Sequence, residues 1–207
     1  MADRFLVMAY VQPGDAEQTA RWWVSVGAPA VASLPGAGVT RLARVIEGNP
    51  THVVMADWSD MSLFSIAAFY RAFAGSPVAG GPWLGLAPVG AAFLSRQIYP
   101  AVDETDPVAS TFKPGDHGFV PLTNVDADVE EGFNEWYNSS HLPAVGDAGL
   151  TQGTRFETFG TAHKYLATYH IEGPEAMHSE ALERVRGFDE YTGRAHDLTR
   201  LVFKVIA

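Results

Sequence analysis

The chain has 207 residues, no cysteine, and 24 acidic against 14 basic residues, for a formal charge of −10. The lack of cysteine excludes a disulfide framework, a thiolate nucleophile and thiolate-held zinc or iron–sulfur clusters. The acidic balance argues against nucleic acid as a partner, since that affinity comes largely from clustered lysine and arginine, while 47% hydrophobic residues supply the apolar surface that a packed core needs.

In chain order, the apolar patterning predicts a strand over 5–11, a helix over 16–26, strands over 39–46 and 51–58, a helix over 61–73 and a strand over 93–99. The uncharged run 72–95 is long enough to cross a bilayer, but Pro77, Pro82, Pro88 and its glycines break any spanning helix. It reads as a long loop, and no membrane partner is expected. Residues 101–114, with Asp103, Glu104, Asp106 and two prolines, read as a linker. A strand follows over 118–125, then a helix that starts at 126–128 with Glu130 and Glu131 in its first turn and stops near Leu142, ahead of Pro143. Strands over 151–159 and 164–171 joined by a hairpin at 160–163, a helix over 174–185 and a strand over 198–207 complete the chain. The N-terminus carries no cationic segment followed by an apolar stretch, so no secretory signal and a cytoplasmic location are expected.

The two halves repeat. A shift of 114 pairs Phe5 with Phe119, Trp22 with Trp136, Pro29-Ala30-Val31 with Pro143-Ala144-Val145, and Thr40-Arg41 with Thr154-Arg155. Each copy, 1–100 and 115–207, reads βαββαβ. Such a copy is an α+β unit whose four-stranded antiparallel sheet has helices on one face and needs cover on the other, which a second copy provides. The expected fold is therefore two tandem ferredoxin-like repeats closing into an α/β barrel within one chain. A homodimer of such pseudo-dimeric chains is expected to form through any strand edges left unpaired.

The segment 131–145 carries the chemistry. On a helix, Phe133, Trp136, Tyr137, Ser140 and His141 share one face. Phe133 and Trp136 read as packing that also walls a substrate cavity. His141 is placed in the last helical turn, where free carbonyls raise an imidazole's pKa and suit it to acid–base work. Tyr137 either orients a substrate or the imidazole, or is a buried tyrosine satisfied by backbone. Asn124 and Tyr169 are expected to line the cavity, with His170 on the alternate face at the surface or an interface. Trp83 is expected to contact substrate from the 74–90 loop as a cover over the cavity mouth. Arg155, matched by Arg41, reads as a structural ion pair, and His117, His163, His178 and His196 as solvated. No spacing suited to a metal site, and no glycine-rich phosphate cradle, is present.

The pattern Phe133-Asn134, Trp136-Tyr137, His141-Leu142-Pro143 resembles the EthD-like branch of the dimeric α/β barrel superfamily, over about 90 residues of the second copy. That superfamily includes muconolactone isomerases, small monooxygenases acting on polyketide aromatics, polyketide cyclases, aldoxime dehydratases and haem-dependent peroxidases. The resemblance implies a cofactor-independent enzyme of lyase, isomerase, dehydratase or cyclase type, with His141 moving a proton on a small apolar aromatic or polyketide-like substrate. Two alternatives stand beside it: a non-catalytic protein that binds a hydrophobic ligand, and a cofactor-free monooxygenase. No cofactor is expected, although haem through His141 or His170 is left open. In the first copy Trp22-Trp23 and Gly27 occupy the places of Trp136-Tyr137 and His141, so only the second copy is expected to do proton chemistry.

Overall fold

The computed structural model describes residues 4–12, 16–48, 51–74, 87–88, 93–99 and 107–207. Eight strands form the frame: β1 (Phe5–Gln12), β2 (Ala37–Glu47), β3 (His52–Trp58), β4 (Phe93–Tyr99), β5 (His117–Val125), β6 (Thr151–Phe159), β7 (Tyr165–Ile171) and β8 (Ala195–Val205). They are rich in valine, phenylalanine, tyrosine and threonine, which fit a pleated and half-buried surface. The first four take the antiparallel order β4-β1-β3-β2 and the last four the order β8-β5-β7-β6. Two further ladders join these sheets edge to edge, β2 on β8 through Ala43↔Val205 and β4 on β6 through Ser95↔Thr158. The result is a closed antiparallel barrel. Among the described residues each of the eight strands pairs with two of the others, and the two-residue strand Ala87–Pro88 pairs with the end of β1 besides.

Alternation along the strands then sorts the core into layers. Leu6, Met8, Val53, Met55, Leu122, Leu166 and Phe203 fill the barrel interior. Phe5, Val7 and Ala9 face outward under the helices of the first half, and Tyr165, Ala167 and Tyr169 under those of the second. His170 is on the inward face, half-buried, with its ring stacked on Phe112 at 3.8 Å and Nε2 2.9 Å from the Thr111 hydroxyl. This corrects the surface or interface placement expected of it.

The helices depart from expectation at their prolines. α1 (residues 16–32) runs past the end expected at 26, and α4 (residues 130–147) past the stop expected ahead of Pro143. Each contains a π turn just before its proline, Trp23–Gly27 in α1 and Tyr137–His141 in α4, closed by Ala28 N–H on Trp23 O and Leu142 N–H on Tyr137 O. Bonding to the fifth residue back displaces the carbonyls that a proline ring would otherwise strike, and the proline then sits at the start of a fresh α segment where its missing N–H does no harm. Of the other helical stretches, 61–73 divides into the 3₁₀ turn Met61–Leu63 and α2 (Ile66–Ala74). Likewise 174–185 divides into the 3₁₀ turn Pro174–His178 and a helix Glu180–Val185 capped by Ser179. No helix among the described residues is long and apolar enough to cross a membrane.

The described part of the supposed linker is core. Residues Val108–Thr111 make one helical turn, α3, and Val108, Ala109 and Phe112 pack into the barrel interior. Asp57, at the end of β3, accepts hydrogen bonds from Ala109 N (2.7 Å) and Ser110 N (2.9 Å), and Arg41 Nε donates to Phe112 O at 2.6 Å. Burial pushes the Asp57 carboxyl up to about 7, against the pull of those two N–H groups and of Arg41 and Arg4. Arg41 thus ties the connector down. Asp57→Ala should leave both N–H groups without an acceptor and lower stability by about 1–3 kcal/mol. The check is urea or thermal unfolding, and an unchanged midpoint would mean that α3 is not anchored there.

Candidate active site

α4 is seated on the second sheet by a close approach at Gly153, where any Cβ would lie 2.2 Å from Leu142 Cδ2 and 2.9 Å from Tyr169 Cε1. Beside this contact a cavity of about 310 Å³ opens between the sheet's outer face and the helices. Its floor is Phe119, Pro121, Tyr169, Leu198 and Val202 of β5, β7 and β8. Its walls are Tyr137, His141 and Val145 of α4 on one side and Met177, Leu182 and Phe188 on the other. Glu47 and Gly48, at the end of β2 in the first half, complete the rim with His178, Arg186 and the exposed Arg200. This volume is at the small end of ligand pockets, about 300–1,000 Å³.

His141 is the distinctive group. Its ring is held between Trp136 (centroids 4.9 Å apart, stacked) and Tyr137 (4.7 Å, edge-on), and among the described residues it makes no hydrogen bond. Burial pulls its pKa down to about 4, with the Asp189 carboxylate opposing and the Arg155 guanidinium reinforcing the shift. The expected rise is therefore reversed. The helix continues to Asp147, so its end carbonyls are not at His141, and desolvation of the cation dominates. At neutral pH the imidazole is uncharged and its ring nitrogens are available to a ligand.

The tyrosines form the second element. Tyr137 Oη lies 3.0 Å from Tyr169 Oη, both rings are buried, and burial raises both pKa values, so the pair stays protonated. One hydroxyl proton serves the pair and the other is left to donate. Beneath Tyr137 lies Arg155, 1% exposed, its guanidinium 4.1 Å from the Tyr137 ring centre. It donates to Asn138 Oδ1 (2.6 Å) and Asn134 Oδ1 (2.8 Å) rather than to any carboxylate. Among the described residues the ion pair expected of Arg155 is not formed, and amides take its place. A desolvated cation with only neutral partners creates a strongly positive local field.

The structure brings together three of the residues singled out from the sequence, His141, Tyr137 and Tyr169, at the cavity wall. Phe133 and Trp136 are not at the wall. Phe133 is fully buried at the centre of an aromatic cluster with Trp136, Tyr137, Tyr165, Phe188 and Tyr191, and Trp136 backs the imidazole from the side away from the cavity lining. Asn124 is also elsewhere, because its side chain is used up in pinning the β6–β7 turn: it donates to Ala162 O and Asp197 Oδ2 (both 3.0 Å) and accepts from Lys164 N (2.8 Å). Trp83 and the rest of 75–86 lie outside the described residues. The sequence reading overlooked Arg200, although alternation on β8 places Leu198, Arg200 and Val202 on one face. His178, expected to be solvated, is exposed and meets Glu47 at 3.4 Å on the rim.

Among the described residues no cluster of three histidine or acidic side chains is placed to hold a metal. A haem needs an axial imidazole steadied by a second-shell acceptor and a slot for the macrocycle. His141 has no such acceptor and a small cavity, and His170 is stacked flat on Phe112. The residues present do not fit haem.

No family profile matches the chain, and no curated protein sequence matches it. Solved structures do. A protein assigned as a chlorite dismutase superposes with TM-score 0.66 at 13% identity, over 100% of this chain and 96% of its own. A protein assigned as a monooxygenase from Fusobacterium nucleatum gives 0.60 at 8%, over 99% and 92%. A chlorite dismutase from Candidatus Nitrospira defluvii gives 0.59 at 14%, over 97% and 91%. These likenesses establish the fold, an α+β closed antiparallel barrel of the dimeric α/β barrel kind shared by chlorite dismutase-like and monooxygenase proteins. At such identities they speak to the fold alone.

The low pKa of His141 has a consequence for stability. A histidine near 6.5 when unfolded and near 4 when folded contributes fully above about pH 6.5 and costs stability progressively as pH falls toward 4. Lowering the pH across that window should therefore shift the melting-temperature difference between His141→Gln and the wild type in favour of the variant. A difference independent of pH would show that the imidazole is hydrated.

Proposed function

We propose that the protein is an enzyme that moves a proton on a small, largely apolar, ring-bearing substrate, with His141 as the base and the Tyr137–Tyr169 pair as the proton donor to the substrate oxygen. The observation that carries this is the uncharged, unbonded imidazole on the wall of an apolar cavity beside two hydroxyls that share a proton. His141 takes a proton from carbon next to a carbonyl. The electron pair moves to the carbonyl oxygen, which the free tyrosine hydroxyl stabilises by hydrogen bonding, and the proton returns at the same or another carbon. Arg155 beneath Tyr137 favours the negative charge that develops, so it acts through the tyrosine as a positioning group. No cofactor enters the step, which suits isomerase, lyase, dehydratase or cyclase chemistry and the EthD-like resemblance. We also read the chain as two tandem copies, 1–100 and 115–207. The reading is supported by the common strand order and by π turns 114 residues apart, each followed by a proline.

A second reading has its own support. A pKa near 4 makes His141 a weak base, and the same group suits a hydrogen bond to a ligand that is held and not converted.

Deuterium wash-in separates the two. Phenylacetone and tetralone in D₂O should lose their α-proton NMR signals faster with the protein present. His141→Gln should slow this by about 10²- to 10⁴-fold while keeping the fold. Tyr169→Phe, which leaves Tyr137 without its partner, should cost less. The wild-type rate should level off on the alkaline side of an inflection near pH 4, not near 6.5. No acceleration by the wild type, or full activity in His141→Gln, would leave the binding reading in place.

A further inference from the structure

The cavity gathers cationic groups in a strongly acidic chain. The molecule carries −10 overall; the rim has Arg186 and Arg200 with Glu47, the Asp189 carboxylate acts on His141, and Arg155 is buried behind Tyr137. Two of these charges are already engaged. Arg186 pairs with Glu183 at 2.8 Å, and Glu47 meets His178 at 3.4 Å. Arg200 makes no ion pair with any described residue, although it projects from the same face of β8 as Leu198 and Val202, which floor the cavity. Arg155 also has only neutral partners. Among the described residues neither Arg200 nor Arg155 has an ion-pair partner, and the two flank an apolar chamber, one at its mouth and one behind its inner wall.

We propose that the ligand is an aromatic or similarly unsaturated acid, its apolar body filling the space among Phe119, Val145, Leu150, Leu182 and Val202 and its carboxylate held at the mouth by Arg200. This names the substrate class of the site described above and rests on the reading of that cavity as the ligand site. A carboxylate at the mouth is stabilised by a charge-assisted bond to a guanidinium that has no competing partner, and its charge lies in the field of Arg155 as well. The neutral His141 adds no charge at the inner wall, so it does not oppose an apolar body placed there.

The test is a binding comparison between naphthoate and naphthamide, which differ in charge and little in shape, followed by quenching of intrinsic fluorescence or by calorimetry. Naphthoate should bind roughly tenfold more tightly at low salt, and the advantage should shrink at high salt because the mouth is exposed. Arg200→Gln should remove most of that advantage with a much smaller effect on naphthamide, and Arg200→Lys should keep part of it. Equal affinities, a preference that survives in Arg200→Gln, or binding of neither compound would overturn the proposal. Because only equilibrium binding is read, these outcomes are independent of proton exchange by His141: a protein that prefers the acid but exchanges no proton would sink the catalytic reading alone.

Discussion

Closure of the barrel by the two ladders β2–β8 and β4–β6 governs everything else in the molecule. Once both edges of each four-stranded sheet are paired with the other sheet, the inner faces of all eight strands enclose one volume, and side chains from both halves fill it. That interior is a shared apolar core, closed at one end by Val108, Ala109 and Phe112. Neither half has this core to itself, so much of the burial that offsets chain entropy exists only when both are together. The barrel interior is therefore packed, and ligand space has to arise between the outer face of a sheet and its helices. The site is where it is because the frame leaves that layer as the adjustable one.

Within that layer the π turn of α4 sets the chemistry. By taking one extra residue per turn it lets the helix pass Pro143 without ending, which keeps His141 inside a continuous helix instead of at its frayed end. An end position would hydrate the ring and favour its cation. The interior position desolvates it, stacks it on Trp136 and keeps it neutral. The same turn presents Tyr137 and His141 together at the cavity wall. Arg155 lies behind this wall, and its amide partners satisfy the guanidinium's hydrogen bonds without cancelling its charge.

Much of the frame was legible in the sequence because period-2 alternation and turn residues mark strands strongly, and because the 114-residue shift lines up the strand–helix order of both halves. What was not legible depended on tertiary context. A proline normally ends a helix, and only the π turn ahead of it reverses that rule, so the run to Asp147 and the low pKa of His141 were both missed. Asn124 and Trp136 have residue types suited to a pocket but are consumed by a turn and by packing. Arg155 was read as part of an ion pair, and nothing in the spacing revealed that its partners are Asn134 and Asn138 instead of carboxylates. Arg200 gave a usable signal, the shared face with Leu198 and Val202, which a strand starting at 195 makes plain and one starting at 198 obscures.

The first half packs the same frame differently. Its π turn presents Trp22, Trp23 and Gly27 where the second presents Trp136, Tyr137 and His141, and the indoles lie so close that a Cβ on Gly27 would meet Trp23 at 2.6 Å and Trp22 at 2.8 Å. Any side chain at position 27 would have to displace one of two large buried rings, so the glycine and the tryptophans are mutually required. Packed indoles contribute burial, whereas a cavity lined by a desolvated imidazole and an unneutralised guanidinium costs stability. Two such cavities would weaken a barrel whose interior core is common to both halves. Filling one side with indoles offsets the cost of the cavity on the other, which makes the difference between the halves a property of the stability of the whole chain.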